Sequence, residues 1–192
     1  MLKLNCGAVI IISGPSGVGK GTLISQLLER RSGLKLAVSA TTRFPRLGEV
    51  SGVDYYFMSR EEFMVRVERS EFVEWCEVHG NLYGTLKQEI DKTVLAGDNV
   101  LLEIDTQGAK KVLSQFDRLV RIFIAPPSEL ALLNRLRQRD TEDETTLARR
   151  LETASQELKE QHLYDYIVVN EVIEDAVQEL MSIIDTVDEK ES

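Results

Sequence analysis

Ala8-Val9-Ile10-Ile11-Ile12-Ser13-Gly14-Pro15-Ser16-Gly17-Val18-Gly19-Lys20-Gly21-Thr22 sets five apolar residues against a glycine-rich loop that ends in a lysine. The apolar run has the length and β-branched content of a buried strand, and Leu23, Ile24, Leu27 and Leu28 follow at helical spacing. In that strand-loop-helix context Gly14 to Lys20 reads as a phosphate loop. Glycines let the backbone turn until successive N–H groups point inward at phosphate oxygens, and the positive end of the following helix adds to the field. Residues Gly14, Pro15, Ser16, Gly17, Val18, Gly19, Lys20, Gly21 and Thr22 are thus the candidate nucleotide-phosphate cradle, with Lys20 reaching the terminal phosphates. One position departs from the pattern. Gly21 stands where Ser or Thr supplies a magnesium ligand, and the hydroxyl is displaced to Thr22. A metal is then expected to be held through water and distant carboxylates.

Outward from the loop, Val100–Ile104, Val120–Ile124 and Ile167–Val169 read as further strands, each separated from the next by a helix-period segment. The order βαβα predicts an α/β fold with a mostly parallel central sheet covered by helices, the three-layer arrangement of P-loop proteins. Residues 128–138 and 143–160 read as two helices, the second opening with Thr141 and Glu144 at capping-box spacing. Between about residues 36 and 88 the pattern changes to short β-rich pieces with turn signals at Pro45, Gly48, Gly52, Gly80 and Gly84, so this stretch reads as an insertion.

A chain of 192 residues is long enough for one well-buried domain, and 43% hydrophobic with 29% charged residues is the composition of a soluble globular protein. A net charge of −9 argues against nucleic-acid and anionic-membrane partners, and no targeting segment is read, so a cytoplasmic protein is expected. Cys6 and Cys76 lack metal or redox spacing and read as buried or incidental thiols. Anionic ligands must then be met by local cations, of which Arg43 with Arg46, and Arg135, Arg137, Arg139, Arg149 and Arg150, are the two clusters.

Gly14-Pro15-Ser16-Gly17, Ser39-Ala40-Thr41-Thr42-Arg43, Pro45-Arg46, Gly48-Glu49, Asp54-Tyr55, Tyr83-Gly84-Thr85, Glu103-Ile104-Asp105, Gln107-Gly108, Ala125-Pro126-Pro127-Ser128 and Val169-Asn170 stand in the order found in guanylate kinases. The resemblance covers nearly the whole chain. It implies transfer of the γ-phosphoryl group of ATP to GMP with Mg2+, and a single domain of three parts. These are a core (1–35, 89–135 and 159–192), a GMP-binding insertion (36–88) and a lid (136–158) that closes over ATP. By the same resemblance Arg43, Arg46, Tyr55 and Tyr83 hold the GMP phosphate, while Ser39, Glu74, Thr85 and Asp105 surround the guanine. Lys20, Arg43, Arg135, Arg139 and Arg150 become the catalytic cations.

The physical reading of these residues runs in the same direction. Guanine presents adjacent donors at N1–H and the N2 amino group, which a carboxylate such as Glu74 accepts together, whereas adenine presents an acceptor at N1. Taken alone, Glu74 also reads as an exposed acid on an amphipathic strand. Arg135 and Arg139, spaced i and i+4, lie on one helical face. Arg137 and Arg149 read as solvated, Phe72 and Trp75 as packing, and His79 and His162 as structural or exposed. Glu103 and Asp105 are the candidates for reaching the metal through water. A phosphate oxygen of GMP is already ionised near neutral pH, so the reaction needs no general base. The rivals are a kinase for AMP, a protein-binding module that has lost the phosphate loop, and an ATPase without acceptor; homo-oligomerisation is left open.

Overall fold

A computed structural model describes residues 7–78, 80–112, 115, 116, 118–139 and 144–189. In chain order the elements begin β1 (Val9–Ser13), α1 (Lys20–Arg30), β2 (Leu34–Leu36), β3 (Ser39–Thr41), β4 (Tyr56–Phe57), α2 (Arg60–Glu68), β5 (Phe72–Val78) and β6 (Asn81–Leu86). They continue with α3 (Lys87–Leu95), β7 (Asn99–Glu103), α4 (Thr106–Val112), β8 (Leu119–Ala125), α5 (Glu129–Arg139), α6 (Glu144–Lys159), β9 (Tyr166–Val169) and α7 (Ile173–Glu189). The described residues fall into two compact units. One is drawn from Met1–Val9, Gly33–Leu102 and Gln107–Leu119, the other from Ile10–Ser32, Glu103–Thr106 and Val120–Ser192.

The second unit carries the phosphate loop. Ile10, Ile11 and Ile12 are fully buried on β1, as a strand covered on both faces requires, and β8 lies between β1 and β9. Strands β8 and β9 pair in parallel from Ile122–Tyr166 to Ala125–Val169. Helix α1 buries Leu23, Ile24 and Leu27 and packs with α7, where Val177, Leu180 and Ile184 are buried. The seam is closed at its rim by a two-pronged Arg30–Glu174 pair at 2.7 and 2.8 Å and by Arg31 on Asp185 and Asp188.

The first unit carries β2 paired in parallel with β7, and a separate four-stranded sheet in the order β4-β3-β6-β5. Ala40, Phe63, Phe72, Leu82 and Leu86 form the apolar cluster beneath that second sheet, with Trp75 packed on it. Phe63 and Phe72 stack with centroids 4.3 Å apart, which gives Phe72 and Trp75 the packing role read for them. The expected α/β class with a parallel central sheet is therefore the observed one.

Two local readings need correction or placement. The 36–88 stretch is not made only of β pieces, because α2 forms within it. Ser59 caps that helix, its hydroxyl accepting from the Glu62 N–H at 3.1 Å, but Phe63 is its only buried side chain and leaves no apolar periodicity to read. The cap read at Thr141 lies outside the described residues. Helix α5 instead shows a cap at Ser128, whose Oγ accepts from the Ala131 N–H at 3.1 Å. No helix among the described residues is long and apolar enough to cross a membrane.

Candidate active site

In the second unit the loop between β1 and α1 is held by its own backbone and by three side chains. The Val18 N–H donates to the Pro15 carbonyl at 3.2 Å, and the Lys20 ammonium donates to the Gly14 carbonyl at 2.6 Å and the Pro15 carbonyl at 3.2 Å. Asn170, buried beyond the end of β9, donates from Nδ2 to the Val18 carbonyl at 2.8 Å. Arg135 of α5 donates to the same Val18 carbonyl at 3.1 Å and to the Asn170 carbonyl at 2.8 Å. The loop carbonyls thus have donors behind them, so its N–H groups can face outward to a ligand. Gly19 caps α1 at φ 99°, and a Cβ there would lie 2.6 Å from Asn170 Nδ2. Only glycine keeps both the left-handed turn and the Asn170 contact.

Helix α6 adds Arg150, whose Nη2 lies 3.2 Å from Ser16 Oγ. The same helix carries Glu157, whose carboxyl feels Lys20. Burial pushes the Glu157 carboxyl above its ordinary range, the Lys20 ammonium pulls it back, and Asp105 and Glu160 push it up again. Burial likewise raises Glu103 at the end of β7 against the pull of Lys20, although its side chain keeps solvent access. Tyr164, 5.1 Å from the Phe123 ring, is pushed up to about 12 by burial. Arg137 and Arg149 are exposed, as read, while the side chain of Arg139 lies outside the described residues.

Metal binding can be tested on this donor set. Glu103, Asp105 and Glu157 offer hard carboxylate oxygens of the kind a hydrated divalent ion prefers, two of them within the field of Lys20. A Cβ at Gly21 would meet nothing within 4 Å, so the missing hydroxyl leaves open space rather than a blocked position. Among the described residues no three acidic, His or Cys side chains converge as a direct metal cage. The residues fit an ion carried on nucleotide phosphates and touched through water.

In the first unit, strand register assembles the other candidates. Ser39 pairs with Thr85 across β3 and β6, and Thr85 pairs with Glu74 across β6 and β5, so the three side chains share one face of one rung. Thr85 Oγ1 donates to Glu74 Oε1 at 2.9 Å, with Glu74 5% and Thr85 1% exposed. Between Phe72 and Glu74 the register shifts, Val73 being the extra residue of a bulge on β5. That bulge supplies the bend that lets Phe72 enter the apolar cluster while Glu74 faces the rung. Gln115 donates to the Val73 carbonyl at 2.9 Å, so the bulge keeps a partner. Gly84 lets β5 and β6 approach, since a Cβ there would sit 2.7 Å from the Glu74 carbonyl oxygen.

Arg43 follows a turn in which its N–H donates to Thr41 Oγ1 at 3.1 Å. Its guanidinium lies 5.4 Å from the Tyr55 ring centroid, and the Tyr55 and Tyr83 rings meet edge-on at 6.1 Å. Arg43, Tyr55 and Tyr83 are thereby brought together, whereas the Arg46 side chain is exposed. Glu49 grips Arg43 with both oxygens, at 2.9 and 3.0 Å, and accepts from the Arg46 N–H at 2.7 Å. Arg43 holds its carboxyl below the usual carboxylate range.

Sequence reading gave no role to Glu49, Asn170 or Glu157. Glu49 and Asn170 stood inside quoted motifs, but nothing in their spacing named a partner; Glu157 had no signal beyond its face on a helix. Asp105 lies in the second unit beside Glu157 and Tyr164 rather than in the Ser39–Thr85–Glu74 rung. His79 lies outside the described residues. His162 is exposed with Nδ1 2.8 Å from the Lys159 carbonyl, and Cys76 is half-buried outside any disulfide.

Comparison with known proteins gives these features a family. A family model described as guanylate kinase matches residues 7–187. The guanylate kinase of Desulfitobacterium hafniense (strain Y51) is 46% identical over 183 residues, 95% of this chain and 92% of that protein. That of Synechocystis sp. (strain ATCC 27184 / PCC 6803 / Kazusa) is 46% identical over 178 residues, 93% of each chain. The crystal structure of guanylate kinase from Anaplasma phagocytophilum superposes with a TM-score of 0.76 at 36% identity, covering 95% of this chain and 86% of that one. With a family model over most of its length and relatives this similar, the chain belongs to the guanylate kinase family.

Proposed function

We infer that the two sets of residues divide the labour of transferring the γ-phosphoryl group of ATP to GMP, the reaction of the nucleoside monophosphate kinase family to which this enzyme belongs. Gly14 to Thr22 take the ATP phosphates, with Lys20 neutralising the transferring group. Arg135, Arg139 and Arg150 supply further positive charge from α5 and α6. Arg43, Arg46, Tyr55 and Tyr83 take the GMP phosphate, and Ser39, Glu74 and Thr85 take the guanine, with Asp105 as a further acceptor for the base. Mg2+ is the proposed divalent ion, touched through water by Glu103 or Asp105; bound to the ATP phosphates, it offsets their charge.

The observation that carries the base assignment is Glu74, a carboxylate buried on a face that also presents two hydroxyls. Burying a carboxylate is costly unless donors meet it, and guanine N1–H with the N2 amino group provides two adjacent donors. Adenine turns a lone pair toward the same oxygen. Each buried polar group left unsatisfied costs about 1–3 kcal/mol, which favours GMP over AMP. The acceptor phosphate is ionised near neutral pH, so the chain's contribution is positioning and charge rather than proton removal. Glu49 keeps Arg43 extended and paired until an anion offers a better partner.

We further propose the division into core (1–35, 89–135 and 159–192), GMP-binding insertion (36–88) and lid (136–158), and the cytoplasm as the compartment. The decisive experiment follows ADP formation from ATP and Mg2+ with GMP, AMP, UMP, CMP or no acceptor. ADP release with GMP alone is expected. Preference for AMP would remove the guanine assignments, and equal release without acceptor would replace the kinase reading by an ATPase.

A further inference from the structure

Strand β5 is the outer strand of the β4-β3-β6-β5 sheet, so carbonyls on its free side find no partner in the ladder. Two carbonyls of β5 are met instead by Lys111 on α4 and by Gln115 beyond it, all within the first unit. Gln115 Nε2 donates to the Val73 carbonyl at 2.9 Å, and the Lys111 ammonium donates to the Trp75 carbonyl. The two donors are themselves joined, because Gln115 Nε2 also donates to the Lys111 carbonyl at 2.6 Å. Lys111 holds the strand a second way: its ammonium lies 5.3 Å from the Trp75 ring centroid, a cation over an aromatic face. That ring packs on the apolar cluster and meets Phe63 edge-on at 6.4 Å.

These contacts bracket Glu74. The bulge at Val73 is where β5 departs from regular pairing, so the ladder alone does not set the direction of the side chain that follows. The peptide entering Glu74 is held by Gln115 and the peptide leaving Trp75 by Lys111. Between them Gly84 lies against the Glu74 carbonyl, where a Cβ would fall 2.7 Å away. With planar peptides fixed on both sides, the Cα–Cβ direction of Glu74 is fixed as well. Hydrogen bonds from two exposed side chains contribute only modestly to global stability, so the main effect of this bracket is on what it aims.

We propose that Lys111 and Gln115 are positioning residues for base selection, acting through Glu74. The inference rests on the guanine assignment above and names what aims its carboxylate. A carboxylate that accepts N1–H and the 2-amino group of guanine side by side is more sensitive to direction than one that accepts a single bond. A small rotation of β5 therefore costs a base contact, while the phosphate loop, in the other unit, keeps its own supports. Lys111 and Gln115 hold backbone; they do not touch the base or the reacting atoms.

The test is steady-state kinetics with GMP and AMP as acceptors on the full-length wild type, Lys111→Met, Gln115→Met, Lys111→Arg, Glu74→Gln and the double variant Lys111→Met with Glu74→Gln. Thermal melting establishes which variants are folded, and Trp75, the chain's one tryptophan, reports the Lys111 contact by its fluorescence. Met keeps the aliphatic length and removes the donor, whereas Arg keeps both donor and cation. Each Met variant is expected to raise KM for GMP about tenfold, the equivalent of one misaimed hydrogen bond, with kcat and KM for ATP within about twofold of wild type. The preference for GMP over AMP in kcat/KM should fall by a similar factor, a split that a merely structural role would not give. Lys111→Met should also shift the Trp75 emission, and Lys111→Arg should restore both the emission and the KM for GMP. In the double variant Lys111→Met should add nothing to the loss caused by Glu74→Gln, because the one residue acts through the other. A KM for GMP within about twofold of wild type in every Met variant that folds, or equal losses toward ATP and GMP, would overturn the proposal while the Glu74→Gln loss stands. A Glu74→Gln variant that keeps the wild-type preference for GMP would instead overturn the guanine assignment on which it rests.

Discussion

In the loop Gly14 to Lys20 the groups that meet a ligand are backbone N–H groups and one ammonium, whereas in the rung of Ser39, Thr85 and Glu74 they are side chains from three strands. The first is contiguous in sequence and owes its shape to glycines that permit a turn. The second exists only once β3, β6 and β5 have paired in one register, with a bulge at Val73. Their electrostatics differ in the same sense. The loop offers donors to any phosphate, so it sets affinity without choosing a base. On the proposed reading the rung buries an acceptor that a correct base must satisfy, so it would discriminate. A kinase with two nucleotide substrates needs both kinds of site, and on the proposed reading this chain builds them from different materials.

The largest effect should come from the loop. Lys20→Ala is expected to lower kcat by about 10³-fold, since preorganised positive charge at a transferring phosphoryl group is worth that order. The Lys20 ammonium also braces the Gly14 and Pro15 carbonyls, so a melting temperature lower by a few degrees is expected without loss of fold. Differential scanning calorimetry and the coupled ADP assay separate the two consequences. A folded variant within tenfold of wild-type kcat would break the division of labour at its stronger end.

Glu74→Gln should sharpen the contrast from the other side. The amide puts a donor where guanine also presents donors, in a place that is 5% exposed and cannot be rescued by water. KM for GMP is expected to rise about 10–100-fold, the equivalent of one or two unsatisfied buried groups, with KM for ATP within twofold. Equal losses toward both substrates would mean that Glu74 holds the sheet rather than the base.

The same contrast explains what could be read beforehand. The phosphate loop and its flanking strand and helix were legible because the chemistry is local: an apolar run, a turn that needs glycine, a lysine at fixed offset. The parallel strands after it were legible from β-branched runs. Glu74 was ambiguous from its residues alone, since alternation sets it on the same face as Phe72, and only the inserted Val73 turns the two to opposite faces. Bulges follow from pairing partners that a single strand does not reveal. Helix α2 was missed because one buried side chain, Phe63, makes no periodicity. Glu49 was silent for a different reason: a carboxylate gains a role from the arginine that tertiary structure brings to it.

Two fork-to-carboxylate pairs offer the finest version of the comparison. Arg43 grips Glu49 in the candidate GMP-phosphate site, and Arg121 of β8 grips Asp165, which also accepts the Arg121 N–H at 2.9 Å and returns its own N–H to the Arg121 carbonyl at 2.9 Å. The second pair simply joins β9 to its neighbour. Its hydrogen bonds from Arg121 hold the Asp165 carboxyl below the ordinary value, so the folded protein binds that proton less readily than the unfolded chain. The resulting stability is fully present above the unfolded pKa of about 4 and is lost as pH falls through the lower folded value. Because both side chains are about one-third exposed, solvent screens the pair, and about 1 kcal/mol at neutral pH is the upper range to expect. Asp165→Asn should therefore lower the melting temperature by about 2–4 °C at pH 7, with the gap to wild type closing below pH 4. Its KM values for ATP and GMP should match wild type. A gap that persists undiminished in acid would assign the loss to the backbone hydrogen bonds of Asp165, and altered KM values would show that this pair belongs to the substrate machinery, the role proposed for Arg43.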